Sequence, residues 1–427
     1  MMLTVYYDVS ELLLRGLNTG IQRVVRQIAR ASTEVGPEFE IQMVPIVALS
    51  DRFHRLAASG SAKLFEAAVR PSEARLTNDT KVTRLIKRGL ALVPPVYEAL
   101  SKIHTDRKIR QVLSALADDG AIDFTKHDTI LLLDSFWGGC TAVDAAVRAA
   151  TTGCRIIPVI YDMIPVSHPE FCESRLPRAF IRQVAKVFPV SAQIMSISQF
   201  SAVEIERFLA ASGFRIPVAH FYLGADLDQP GSVPQPPRAD DWPDGLLDNN
   251  GRIFLMVGTL EPRKGHAVVL DAFERLWASG RQDALLIIGK IGWNTEAFLA
   301  RCAAHPEQGR RLFLVHGATD AMLATAFDLS FAAILASTIE GFGLPLVEAL
   351  HRGVPVIASD IPAFREIGTV GVDFFRLGDP SDLARVIATM DDVRRRDGKP
   401  ETGFTWLDWH GSARQMLSRI KPIVEAG

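Results

Sequence analysis

Cysteine is scarce in this sequence of 427 residues: Cys140, Cys154, Cys172 and Cys302 lie far apart, with no Cys-x-x-Cys pair. Zinc spacings and a disulfide framework are thereby excluded, and a reducing cytoplasm suits the chain. An excess of either charge is also missing, because 47 Lys and Arg face 49 Asp and Glu for a net charge of -2. Such a chain has no global attraction for nucleic acid, and none is expected as a partner. No apolar run reaches the roughly 18 residues that a membrane span needs. The opening MMLTVYYDVSELLLRG lacks a basic lead-in and is interrupted by Asp8 and Glu11, so it does not read as a secretory leader. Repeats and low-complexity stretches are absent, which argues against solenoids and disordered arms. No Gly-x-Gly-x-x-Gly follows a strand, which disfavours an NAD-dependent oxidoreductase.

What the chain does have is length for about two domains and 48% apolar residues to fill them. Val- and Ile-rich runs alternate with helical patterns, the mark of parallel βαβ layers. Strands are predicted at 3–9, 41–49, 129–134, 155–162, 194–198 and 218–224, then at 252–260, 284–289, 311–317, 332–337 and 354–359. These make two open parallel sheets. Residues 228–250 hold five prolines and five aspartates and read as an exposed connection. The expected domains are therefore 1–235 and 236–405, with 406–427 closing the chain.

Residues 50–120 interrupt the first sheet with sequence read as helical and basic. Between 81 and 110, Lys81, Arg84, Lys87, Arg88, Lys102, Arg107, Lys108 and Arg110 face only Glu98 and Asp106. Leu85, Leu90, Leu92, Val93, Val96 and Leu100 add apolar surface beside them. A basic amphipathic segment of this kind suits an anionic membrane surface, each cation adding about 1 kcal/mol. A helical hairpin with a solvated charged face is the plainer alternative.

The sharpest motif is STIEGFGLPLVEALHRGVPVIAS, 337–359. Glu340 falls in a loop where Gly341 and Gly343 let backbone approach a ligand, with Phe342 and Leu344 interleaved. Pro345 suits the first turn of a helix, and Gly353 its end. Glu348 follows eight residues after Glu340, so both carboxylates are aimed at the carboxyl edge of the sheet, where open α/β folds bind ligands. A second motif, GTLEPRKGHAVVLDAF at 258–273, sets Gly258 and Thr259 after a strand and Arg263 and Lys264 before a helix. Cations beside a helix start suit a diphosphate, and Glu261 either pairs with them or merely starts the loop. A third, RGLNTGIQRVVRQIAR, places Thr19 as an N-cap and Gly20 just inside a helix.

These motifs resemble family 4 retaining glycosyltransferases of the GT-B fold: two Rossmann-like, doubly wound parallel-sheet domains facing across a cleft. The resemblance implies that Glu340 contacts hydroxyls of the transferred sugar, Glu348 the nucleotide ribose, and Arg263 and Lys264 the diphosphate, while Gly20 gives room over the phosphates. A departure is Thr259, where many relatives carry Arg. In YDMIPVSHPEF, 161–171, similar transferases place a His-Asp or Tyr-Asp pair beneath the acceptor. That makes Asp162 the candidate for acceptor orientation or proton acceptance, with Tyr161, His168 and Trp137 as acceptor contacts and Ser135 and Tyr222 ranked behind them. FTWLDWHGSARQML, 404–417, resembles the closing helix that crosses back to the first domain.

The implied reaction is metal-independent transfer of a hexose, with retention, from a nucleotide-diphosphate sugar. GDP-mannose is favoured because TLEPRK and YDMIPVSHPE resemble bacterial mannosyltransferases of surface polysaccharide pathways. The expected acceptor is a glycan or lipid-linked glycan at the cytoplasmic face of a membrane. Asp226-Leu227-Asp228 has oxygens for a cation, but it opens the domain connection, and Asp240 and Asp241 read as solvated charge. No metal or other cofactor is expected. The rival reading is a nucleotide-sugar-binding or scaffold protein without turnover, suggested by Tyr161 where some relatives have histidine.

Overall fold

A computed structural model describes residues 2–15, 20–56, 120–138, 141–227, 238, 241–248, 251–368, 370–390 and 406–426. The basic stretch 81–110, Thr19, Cys140, Asp228 and Asp240 lie outside the described residues. The chain divides into two compact units. One comprises Met1–Ile197, Ala202–Tyr222 and Trp409–Gly427, the other Ser198–Ser201 and Leu223–Asp408.

The first unit is built on a sheet of β1 (Leu3–Asp8), β2 (Ile41–Leu49), β3 (Arg52–Arg55), β4 (Thr129–Leu132), β5 (Arg155–Ile160), β6 (Ile194–Ser196) and β7 (Val218–His220), in the order β3-β2-β1-β4-β5-β6-β7. All neighbours are parallel except β3, which runs antiparallel to β2 with Ile46 opposite Arg55. The expectation of a helical stretch starting at 50 is corrected here. Phe53 is buried, 1% exposed, between the exposed Arg52 and the half-buried His54, and meets Phe124 edge to face at 6.1 Å. A single large apolar residue at strand alternation, next to a sheet edge, outweighs the polar composition around it.

The helix Gly20–Val35 turns Val24, Val25 and Ile28 inward. Against it packs Trp409–Glu425, which buries Met416, Leu417 and Ile420. Arg414 makes two hydrogen bonds to Glu38 at 2.7 and 2.8 Å, and His410 meets Glu34 at 2.7 Å. Exposed pairs of this kind are screened by water and add little, whereas each buried large apolar side chain contributes about 1.5–3 kcal/mol. Apolar burial therefore holds the last helix in this unit.

The second unit has six parallel strands, β8 (Ile253–Val257), β9 (Ala284–Ile288), β10 (Leu312–Val315), β11 (Ala332–Leu335), β12 (Val356–Ser359) and β13 (Val372–Phe375), ordered β10-β9-β8-β11-β12-β13. Phe254 of β8 anchors its core, meeting Phe273 at 5.7 Å and Phe331 at 5.5 Å. The division between the units runs at Tyr222–Leu223 rather than at 235, because Leu223, Ala225 and Leu227 are buried and tied to the segment before the last helix. The Ala225 N–H donates to the Leu407 carbonyl and the Trp406 indole to that of Leu223. Nor is 228–250 wholly an exposed connection, since Trp242 and Leu246 are buried. Among the described residues no helix is long and apolar enough to cross a membrane.

Candidate functional site

Strand order decides which loops meet. In the second unit the chain steps outward from β8 to β10, then returns to lay β11 on the other flank of β8, with Phe254 opposite Ala332. Loops leaving the carboxyl ends of β8 and β11 are therefore neighbours, and a reversal of this kind is where open α/β sheets take ligands. The loop after β8 carries Arg263 and Lys264; the loop after β11 carries Glu340.

Glycine makes the approach possible. Gly265 has φ +72°, and a side-chain carbon there would lie 2.2 Å from the Ala336 carbonyl oxygen. Only a residue without Cβ brings the turn Pro262–Lys264 so close to the end of β11. The Thr338 N–H then donates to the Arg263 carbonyl at 2.7 Å.

The charged side chains close into one cluster. Arg263 Nη1 donates to Glu340 Oε2 at 2.9 Å and to the Ile339 carbonyl at 3.1 Å, while Nη2 lies 2.6 Å from Glu261 Oε1. Glu340 Oε1 accepts from Lys264 Nζ and, at 2.7 Å, from Ser337 Oγ. Burial raises the pKa of Glu340, but the charges of Arg263 and Lys264, with hydrogen bonds from Lys264 and Ser337, overcome it and hold the group at about 2. Lys264 is lowered by its burial and by Arg263, against the opposing pull of Glu340 and Glu261. Two cations and a hydroxyl converge on Glu340, which keeps the pair ionised at neutral pH.

Glu340 leads into the helix Leu344–His351, with Gly341, Phe342 and Gly343 buried before it and Leu344 partly exposed at its start. Gly343 has φ +112°, where a Cβ would sit 2.7 Å from Phe364 Cε1. Pro345 occupies the first turn and Glu348, 1% exposed, the second. Gly258 has φ +151° and Thr259 is half-buried beside it. Sequence reasoning missed Ser337 and His266, and left Glu261 open. His266 is buried, its pKa lowered to about 4 by burial and then by Lys264, against a hydrogen bond to the Glu261 backbone. It is neutral at pH 7 and packs on Phe298. A hydroxyl three residues before Glu340 and an acid two before Arg263 were the available signals.

The first unit holds the remaining candidates. Gly20 is exposed and begins its helix. Asp162 is half-buried and accepts from the Ile164 N–H at 3.0 Å, just before the short helix Ile164–Ser167. His168 is half-buried, bonded to Ser167 Oγ at 3.0 Å and stacked on Phe171. Tyr161 and Trp137, expected as acceptor contacts, are instead core residues. The Tyr161 hydroxyl donates to the Leu133 carbonyl at 2.8 Å, and Trp137 packs edge to face on Phe136, Tyr161 and Phe180. Ser135 is buried on Asp134, and the backbone of Tyr222 is tied to Gln415 and Ser412.

A second set of carboxylates lies where the first sheet reverses, at the ends of β1 and β4. Asp134 Oδ2 accepts from the Leu12 N–H at 2.6 Å; Asp8 Oδ1 accepts from the N–H and hydroxyl of Ser10. Both are fully buried. Burial, then Asp134 and Glu11, raise Asp8 to about 8 despite its bonds to Ser10. Asp134 rises to about 6 by burial, with Glu11 adding to it against the bonds from Ser135 and Leu12.

Comparison with known proteins bears on the same loops. Residues 238–390 match the family model described as glycosyl transferases group 1. Serotype-specific mannosyltransferase WbdA of Escherichia coli is 31% identical over 367 residues, covering 81% of this chain and 44% of WbdA. A phosphatidyl-myo-inositol mannosyltransferase of Mycobacterium leprae (strain TN) is 34% identical over 185 residues, 42% of this chain and 48% of that one. The chain spans less than half the length of these relatives. Among solved structures, sucrose-phosphate synthase from Thermosynechococcus elongatus superposes with a TM-score of 0.58 at 15% identity, covering 100% of both chains. Anabaena HepE, in complex with UDP and glucose, gives 0.55 at 14% identity, with 99% and 97% covered. These likenesses establish the GT-B type of fold for the paired units. The part of the chain that carries the Arg263–Glu340 cluster, residues 238–390, belongs to the glycosyl transferases group 1 family.

Proposed function

We propose that this chain transfers a hexose, mannose before others, from a nucleoside-diphosphate sugar to a glycan or lipid-linked glycan in surface polysaccharide synthesis, with retention at the anomeric carbon. The observation that carries the reading is the meeting of Arg263, Lys264 and Glu340 at the strand reversal between β8 and β11. A diphosphate needs charge-assisted donors in a site shielded from water, and a guanidinium beside an ammonium supplies them. As the sugar leaves, charge grows on the diphosphate, and fixed cations stabilise that charge without a metal. Glu340 and Glu348 accept hydrogen bonds from sugar and ribose hydroxyls, and Gly258, Thr259 and the 341–344 backbone line the donor.

Mannose is favoured by the names of the Escherichia coli and mycobacterial relatives, and GDP is proposed as its carrier on the likeness of TLEPRK and YDMIPVSHPE to bacterial mannosyltransferases. Asp162, the accessible carboxylate beyond β5, is the proposed acceptor-orienting group. His168 and Gly20 stay as proposed acceptor and phosphate neighbours. A cytoplasmic location fits Cys154, Cys172 and Cys302, which are free thiols. Contact with an anionic membrane face is supported by the basic composition of 81–110.

The test is a panel of GDP-, UDP- and ADP-sugars read by thermal shift and by release of nucleoside diphosphate. A donor at about a hundredfold excess over its Kd should stabilise the fold by about 2.7 kcal/mol. GDP-mannose is expected to stabilise most and to release GDP. A protein that is stabilised yet releases nothing would be a binder without turnover; no stabilisation by any donor would defeat the reading.

A further inference from the structure

The Arg263–Glu340 cluster holds two cations, Arg263 and Lys264, and two carboxylates, Glu261 and Glu340, in mutual contact. Its formal charge is zero. A nucleoside diphosphate entering a neutral cluster would lose its hydration and gain no net Coulomb attraction in return. The two cations become available to it only if one of the carboxylates gives them up.

The geometry shows which one can. Glu261 has a side chain 2% exposed, and it opens the turn Pro262–Lys264 that positions Arg263. Glu340 is more exposed, at 10%, and sits in the glycine-bearing loop before the helix Leu344–His351. Both of its oxygens are engaged, Oε2 by Arg263 and Oε1 by Lys264 and Ser337. Ser337 would remain as a partner once the cations turned elsewhere, and the hydroxyls of a bound sugar would supply the rest.

We propose that Glu340 is an exchangeable internal counterion, which neutralises Arg263 and Lys264 while the donor is absent and is displaced from them by the incoming diphosphate. The inference rests on the donor-site reading above and adds a second role for the same carboxylate. The sugar-bearing donor gives Glu340 new partners, whereas a bare nucleoside diphosphate displaces it and offers nothing in exchange. The device thus favours donor over product, and it speeds product release by letting Glu340 return to the cations.

The test compares wild-type protein and Glu340→Gln by titration calorimetry with GDP, UDP and ADP at one salt concentration. Glutamine keeps the shape but removes the charge, and its amide nitrogen cannot accept from Arg263. The nucleoside diphosphate preferred by wild type should bind the variant roughly three- to tenfold tighter, while turnover of the sugar-bearing donor falls. Equal or weaker binding by the variant, with wild type binding normally, overturns the counterion role and leaves the donor site standing. Failure of wild type to bind any of the three overturns both. Should Glu340→Gln not fold, as judged by thermal melting, a crystal structure of wild type with its preferred nucleoside diphosphate decides. Separation of Glu340 from Arg263 beyond salt-bridge distance supports the exchange, and an intact pair overturns it.

Discussion

Replacement of Arg263 by alanine is expected to lower kcat/KM for the donor by at least about tenfold, reaching about a hundredfold if both guanidinium nitrogens turn to the diphosphate. A hydrogen bond to a charged group contributes about 1.5–3 kcal/mol net, and about 1.4 kcal/mol is a factor of ten. The same change leaves Glu261 and Glu340 buried with Lys264 as their remaining cation in the cluster. Glu340, held near 2 chiefly by Arg263 against its burial, then titrates higher. Its depressed value contributes stability above the ordinary carboxylate range that is lost as pH falls toward 2, and the variant should lose stability at a higher pH than wild type. Arg263→Lys restores the charge but not the fork that reaches Glu261, Glu340 and the Ile339 carbonyl together. Steady-state kinetics should rank wild type above the lysine variant and lysine above alanine. Equal rates for all three would show that the guanidinium takes no part.

The second large effect is expected in the first unit. Asp8 is fully buried, with its pKa raised to about 8 by burial and by Asp134 and Glu11. A folded-state value above the unfolded one means that the native protein binds the extra proton. Stability from this source is therefore complete in acid and is lost as pH rises through about 8. Asp134, raised to about 6, acts in the same direction over a lower window. Asp8→Asn keeps an acceptor for Ser10 and removes the titration. Its unfolding free energy should match wild type below the ordinary carboxylate range and exceed it near pH 9 by on the order of a few kcal/mol. Parallel pH profiles for the two proteins would show that Asp8 is charged at no cost.

Both sites lie where a strand order reverses, and that explains what the sequence could and could not reveal. The loop 340–344 and the turn 262–264 were legible because glycine, proline and charge punctuate them, and short apolar runs marked the strands that deliver them. Their adjacency was not legible, since it depends on β11 returning beside β8. Ser337 escaped, and the pairing of Glu261 stayed open, because each matters through the charged residue it orients, Glu340 and Arg263, and those two meet only across the two loops. Tyr161 and Trp137 were misread because an aromatic at a strand end suits a ligand or a core equally well, and only burial separates the two. Asp8 looked like a polar interruption of an apolar run, yet it holds the turn after β1 through Ser10. β13 was missed because VDFF is short and mostly half-buried, leaving no apolar run to mark it.

The most direct test of the donor site is a crystal structure of the protein with a nucleoside diphosphate bound. The diphosphate oxygens are expected within about 3.2 Å of Arg263 and Lys264, with the ribose against Glu348. A nucleotide seated elsewhere, with both cations still closed on Glu340, would contradict it.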